Sequence, residues 1–420
     1  MYGWLRHYLD CDGKRMHGIA AALAHLACGG GEDAILPVAA AMQLYHHHTL
    51  VHDDIYDEDA ARRGWPTVHQ AFAGWFADRR GAEEGAGRVF SGGAMRRGAI
   101  TAFAYGKICR ALAGRLLLES GFDQAAVLDV ARALEQHEFF DNAAQLKDVF
   151  HEGDEMPSPQ ACLDNAWLKT GRLFELCAYA GARLAGAEAG RTKALERWAG
   201  QSALAYQLQD DLEDLNAASE KGQGRGVATD LLHCKPTYLY ALAKTMAEGR
   251  DREALLAWQS GAQAGLDSGD IIAILARSGA LDACGGEVAR CIVRAGAALD
   301  GAAPALAADR LPLLRQFSDY FVSPAYWHRP LAASRPAARC WPEEDAMAYA
   351  PLIFDLHGVL LGRREPMAIC RPEKCCASYA RPGTRCASSP IPAASSGGRW
   401  WRSWRRPVSR LTPVRCTPRR

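Results

Sequence analysis

Apolar and small residues recur at three- and four-residue intervals along most of the first 322 positions, the spacing that gathers them on one face of a helix. The pattern predicts a short buried helix stopped by Cys28-Gly29-Gly30-Gly31, then a long helix from Ala34 to about Ala61. Residues 71–100 are rich in Gly, Ala and Arg with little periodicity and read as a long loop or weak helix; helical spacing resumes from about Ile100 to Val149. Beyond the break at Met156-Pro157-Ser158-Pro159 come a helix carrying Lys169-Thr170-Gly171 and a strong helix from Trp198 to Leu215. Ala254 to Val322 reads as several amphipathic helices, Gly286 to Ala298 among them. No stretch of the first 330 residues alternates apolar and polar for long enough to suggest a sheet, so the expected fold class is all-α.

The character changes at Ser323-Pro324, which sets the expected boundaries: a helical domain over 1–325, a Pro-, Ala- and Arg-rich linker over 326–348, a strand-like fragment over 349–361 and a disordered tail over 362–420. The formal net charge of +1 conceals this division. From Gly362 onward there are 13 Arg and one Lys against two acids, net +12, which leaves −11 on residues 1–361. The tail's Trp400-Trp401-Arg402-Ser403-Trp404-Arg405-Arg406 has the residue types that touch nucleic acid or membrane, but no fold to organise them, and no nucleic-acid partner is expected. The 14 Cys are scattered and read as buried small apolar side chains. With no secretory leader and no apolar run of about 18 residues, no integral membrane segment is expected, and the reducing cytoplasm is the expected compartment.

Candidate chemistry gathers at His52-Asp53-Asp54-Ile55-Tyr56-Asp57. Asp53 and Asp57 lie one turn apart on one helix face, with Asp54 about 100° round. Such a cluster repels itself unless a cation faces it, and oxygen donors suit hard divalent ions. His46, His47 and His48 are each rotated about 100° from the next and cannot converge. His48 and His52 have a zinc-like i, i+4 spacing, but the adjoining carboxylates favour a harder ion. The acidic pattern returns as Asp210-Asp211-Leu212-Glu213-Asp214. Arg62-Arg63 follows the first cluster, either neutralising it or offering bidentate contacts to anionic ligand oxygens, and Lys221, Arg225 and Lys235 follow the second. Two acidic helix faces could clamp one set of metal ions and, through them, a polyphosphate.

Taken together and in this order, these motifs resemble the trans-type polyprenyl diphosphate synthases (farnesyl and geranylgeranyl diphosphate synthase-like) over roughly residues 12–322. His52 to His69 resembles the family's first aspartate-rich motif with its Arg-Arg-Gly-x-Pro-Thr-x-His continuation, and Tyr206 to Asp214 resembles the second. The resemblance implies an isoprenoid synthase helical bundle with a central cavity, usually a homodimer, that condenses isopentenyl diphosphate with an allylic diphosphate. It implies Mg²⁺, with Mn²⁺ as a substitute, held by Asp53, Asp54, Asp57, Asp210, Asp211 and Asp214. It places Arg62, Lys169, Thr170, Gln207, Arg225 and Lys235 on the allylic diphosphate, and Lys14, His46 and Arg63 on isopentenyl diphosphate. His48 and Thr49, five and four residues before the first motif, stand where product length is commonly set. Their intermediate size points to a C15–C20 product.

The departures are specific. His17 and Gly18 replace the last Arg and Pro of the family's basic loop, Gln43 a frequent Glu, Arg225 a Lys and Cys234 a Gly. Binding of isopentenyl diphosphate is the step most exposed to these changes. A class I terpene cyclase needs the same aspartates but no isopentenyl diphosphate, and an inactive partner subunit is the non-enzymatic alternative. Separately, Asp355-Leu356-His357-Gly358-Val359 resembles the first motif of haloacid dehalogenase-type phosphatases, and the abrupt change after it suggests a truncated or frame-shifted fusion partner.

Overall fold

A computed structural model describes residues 9, 14–62, 65–80, 92–151, 157–216, 230, 235–259 and 267–323. The linker, the phosphatase-like fragment, the basic tail, Arg63 and Arg225 lie outside the described residues. The described chain is helical almost throughout. Its helices are α1 (Met16–Ala27), α2 (Glu32–Tyr56), α3 (Val68–Arg80), α4 (Gly93–Leu118), α5 (Gln124–His151), α6 (Pro159–Ala166), α7 (Arg172–Leu184) and α8 (Ala189–Glu213). They continue with α9 (Tyr238–Met246), α10 (Gly249–Gln259), α11 (Ser268–Arg277), α12 (Ala280–Asp300) and α13 (Leu311–Phe321).

Ends are set locally. Ser158 accepts the Ala161 N–H at the start of α6, Thr237 caps α9 through Tyr240 N–H, and Asp267 with Asp270 closes a reciprocal box on α11. Helix α2 packs between α1 and α4, α7 lies against both α1 and α8, and α12 lies along α8. Small residues permit the close seams. A Cβ on Gly181 of α7 would come within 2.1 Å of the Ala21 carbonyl on α1, whose buried face is Ala20, Ala21, Ala24 and Ala27. Helix α8 spans two cores. Trp198 joins the first, its Nε1–H donating to Ser318 Oγ at 2.8 Å, while Leu204 and Leu208 enter the second with α9 to α12. Five of the six described cysteines are buried, and burial pushes the Cys109 thiol up to about 12, as inert apolar packing requires.

Two expectations need correction. Helix α2 stops at Tyr56 rather than about Ala61, because Glu58 adopts φ 53° and turns the chain. A two-residue antiparallel ladder follows, pairing Ala61 with Pro66 and Arg62 with Trp65, so a short sheet exists where none was expected. Of the two readings of residues 71–100, loop or weak helix, the described stretches 71–80 and 93–100 take the helical one: α3 and α4 meet where Gly98 has no side chain, a Cβ there falling 2.3 Å from His69 O. The helical spacing from Ile100 to Val149 is carried by two helices, divided at Gly121, whose φ of 82° suits glycine.

One contact between α7 and α8 has a measurable consequence. Glu175 accepts the Trp167 indole N–H at 2.9 Å and fills the space over Gly200, with Glu196 nearby on α8. Burial, with the charge of Glu175 beside it, pushes Glu196 up to about 7 from 4.5. The folded state therefore keeps a proton that the unfolded chain releases, and stability falls as pH rises from about 4.5 to 7. Glu196→Gln should flatten that fall, raising the melting temperature at pH 8 relative to the parent and leaving it little changed at pH 4.5. Parallel pH slopes in thermal denaturation would rule this out.

Candidate functional site

The C-terminal end of α2 and the C-terminal end of α8 carry the two acidic clusters, and a chain of contacts ties them together. Lys235 Nζ donates to Asp57 Oδ2 at 2.7 Å and lies 3.9 Å from Asp230 Oδ1, while the Asp230 backbone N–H donates to Asp214 Oδ2 at 3.0 Å. Lysine and aspartate from the connector after α8 thus join Asp57 to Asp214. Burial works against the Lys235 charge, but Asp57 and Asp230 outweigh it and hold its pKa above the usual lysine value.

The short ladder after α2 explains the place of Arg62. Folding back, it sets the guanidinium against three acids: Nε donates to Asp54, and NH2 lies 3.5 Å from Asp59 and 3.7 Å from Asp53. Asp54 is only 1% exposed, so this pairing is what makes its burial tolerable. Asp53 keeps about a third of its exposure, at 34%. Burial raises its carboxyl above the usual range, Lys169 opposes the shift and Asp57 adds to it; the remaining exposure lets water moderate all three.

Lys169 and Thr170 sit on a π-helical turn, Trp167–Gly171, between α6 and α7. The wider turn breaks the helical register at the point where Thr170 Oγ1 donates to Gln207 Oε1 at 3.0 Å, and Gln207 in turn donates to Asp211 Oδ1 at 3.3 Å. The turn therefore connects to α8 while Lys169 carries its charge toward Asp53. Tyr206 and Asp210 share the partly open side of α8 with Gln207.

On the other side, His17 of α1 stacks on His46 of α2, ring centroids 3.7 Å apart, with Phe174 4.1 Å from His17. Gln43 Nε2 lies 3.4 Å from His46 Nδ1. Lys14 stands just before Arg15, the N-cap of α1. The two positions associated with product length are both turned onto their own helix: His48 Nδ1–H donates to Tyr45 O at 2.8 Å and Thr49 Oγ1–H to His46 O at 2.8 Å. His48 and His52 meet edge to face at 5.2 Å.

Among the described residues, no three His, Cys, Asp or Glu side chains stand in a geometry that could hold a metal ion as they are. The donor set nonetheless suits a hard cation: the acids offer only oxygen, and a cation, Lys235, already sits on Asp57.

Sequence reasoning missed Asp141. On α5, it stands one turn before Gln145; its carboxyl feels the charges of Lys169 and Asp53, and its own charge acts on Tyr56. Burial pushes it up to about 6, with Lys169 opposing and Asp53 and Glu138 adding to the rise. Helix α5 carries polar residues on every side, so periodicity gave no reason to single Asp141 out.

A profile of the polyprenyl synthetase family matches residues 1–267. A short chain isoprenyl diphosphate synthase from Methanocaldococcus jannaschii is 28% identical over 264 residues, covering 61% of this chain and 70% of that one. A geranylfarnesyl diphosphate synthase from Aeropyrum pernix is 26% identical over 318 residues, covering 75% and 92%. A crystal structure of geranylgeranyl pyrophosphate synthase from Corynebacterium glutamicum, complexed with isoprenyl diphosphate and magnesium, superposes with a TM-score of 0.68 at 23% identity. That match covers 78% of this chain and 90% of that one and is a likeness of fold.

Proposed function

The chain belongs to the polyprenyl synthetase family and is a prenyltransferase; we propose that it joins isopentenyl diphosphate to an allylic diphosphate and releases a C15–C20 prenyl diphosphate. The observation that carries this reading is the Asp57–Lys235–Asp230–Asp214 bridge, which makes one site of two acidic helix ends. Asp53, Asp57 and Asp210, supported by Asp54, Asp211 and Asp214, are the residues that would hold Mg²⁺ or Mn²⁺. When bound, the ions neutralise charge on the diphosphate.

The chain's own groups do the rest. Lys169, Arg62, Lys235, Arg225 and Gln207, oriented by Thr170, take the oxygens of the allylic diphosphate and stabilise the charge that grows on it as the C–O bond breaks. Lys14, His46 and Arg63 hold isopentenyl diphosphate so that its double bond meets the allylic cation. Released diphosphate accepts the proton, so no side-chain base is required. A second copy of the chain is the expected partner, and its support is a stripe of exposed apolar residues on α5, Leu128, Phe139 and Leu146, at helical repeats of 11 and 7.

The stacking of His17 on His46 keeps one rival in view, a class I cyclase that makes no use of isopentenyl diphosphate. Purified protein with Mg²⁺, isopentenyl diphosphate and dimethylallyl, geranyl or farnesyl diphosphate separates the readings when products are sized. Elongation by the protein alone eliminates the inactive-subunit alternative; hydrocarbon or alcohol from allylic substrate alone would replace transfer by cyclisation.

A further inference from the structure

With its diphosphate fixed at the end of α2, an apolar allylic tail has to run back along the bundle, since leaving it in water forfeits the hydrophobic gain of every CH₂. The half-open stripe on α2 below Asp53 is Leu50, Thr49 and His46. Facing α2 is α5, and two contacts fix its level. Tyr45 OH lies 3.0 Å from His137 Nδ1 and His48 Nε2 lies 4.0 Å from Glu138 Oε1; Asp141 follows three residues after Glu138, on the same face of α5 and one turn further toward the Asp53 end of α2. From Tyr45 to Asp53 is eight residues, roughly 12 Å of helix.

Over that short length the α5 side is ionic where a long hydrocarbon would want it apolar. Glu138 is paired by Arg110 of α4, which also binds Glu135, and Lys107 lies 3.9 Å away. Arg110 in turn lies over the Tyr45 ring at 5.4 Å. Asp141 is half-buried above this shelf. A tail pressed against it would strip water from a charge without replacing the lost hydrogen bonds, a cost that grows with every carbon pushed past it. Bulk is not what closes this path, because His48 and Thr49 are already bonded back to their own helix.

We propose that Asp141, standing above the Arg110–Glu138 ion pair, is a specificity-determining residue that ends chain growth at C15 by lining the tail path with charge. This rests on the prenyl-transfer reading above and names the short end of its product range. The protein therefore takes dimethylallyl and geranyl diphosphates as starters and extends farnesyl diphosphate poorly.

The test uses the full chain with Mg²⁺ and isopentenyl diphosphate, comparing farnesyl with geranyl diphosphate as starter and sizing the products. In Asp141→Leu, which keeps the branched outline with larger methyl ends and removes the charge, the ratio of farnesyl to geranyl kcat/KM should rise about tenfold and C20 should appear. Asp141→Asn, which keeps the shape, should fall between. The ratio is insensitive to a general loss of turnover, and the parent's poor use of farnesyl diphosphate is a prediction that needs no variant. An unchanged ratio in both variants, or a parent that extends farnesyl as readily as geranyl diphosphate, overturns the proposal while leaving prenyl transfer standing. A parent that elongates no starter at all removes both.

Discussion

Asp53→Ala and Asp210→Ala should each lower turnover with isopentenyl and geranyl diphosphates by about three orders of magnitude, with the fold intact. The size follows from the job assigned to these groups: they are preorganised, partly desolvated charges placed where charge develops, and losing one such group typically costs about 10²–10³ in rate, more where it also holds an ion. The fold should survive because both carboxylates are only partly buried. Asp53 retains a third of its exposure and sits above the usual carboxylate range through burial, with Asp57's charge adding to the shift. Removing it relieves repulsion rather than creating it. Circular dichroism and melting temperature check the fold, and calorimetric titration with Mg²⁺ should show a weakened or missing site in both variants. Asp214→Ala is the informative contrast. That carboxylate is 1% exposed and accepts the Asp230 N–H, so its loss should disturb the bridge and lower stability as well as rate. Turnover within tenfold of the parent in either Asp53→Ala or Asp210→Ala would remove the acidic clamp from the account.

Much of this clamp could be read from residue order, and the reason is periodicity. Asp53 and Asp57 lie at i, i+4 and so share a face of any helix they sit on, and an apolar repeat of 3.6 marks α1 and α12 without help from their neighbours. What escaped were features set by contacts across the chain. Lys235 lies 178 positions from Asp57, and its ion pair depends on where α8 ends and α9 begins. The π turn at Trp167–Gly171 has an ordinary helical sequence; only its setting between α6 and α7, with Thr170 reaching Gln207, accounts for its use. The two-residue ladder is too short to alternate, yet it decides which acids Arg62 meets. Helix α3 has little apolar periodicity of its own, and its packing rests on Gly98, a residue whose value lies in what it lacks. Asp141 is the same lesson within the site: its neighbours Asp53 and Lys169 are 88 and 28 positions away by the numbering, and no local pattern joins them.

Arg62→Ala should destabilise the protein by about 3 kcal/mol or more in metal-free buffer, a larger loss than removal of any fully exposed cation would give. The argument is one of leftover charge. Asp54 is 1% exposed and its Oδ1 is met by Arg62 Nε; Asp59 and Asp53 lie 3.5 and 3.7 Å from the same guanidinium. Without the arginine, three carboxylates remain around the space its guanidinium filled, one of them cut off from water. The pair itself need not be strongly favourable for its breaking to be costly, because the penalty is the desolvated partner that stays behind. This predicts a specific rescue. Arg62→Ala combined with Asp54→Asn should recover much of the lost stability in urea denaturation, so that the double variant is more stable than Arg62→Ala alone, a coupling that additive sites do not show. Activity is the wrong readout, since Arg62 is also assigned to the allylic diphosphate and its loss slows turnover in any case. If the single variant loses less than about 1 kcal/mol, or Asp54→Asn adds to the loss, Arg62 is a ligand-facing residue free of structural duty, and the ladder that delivers it to Asp54 has another purpose.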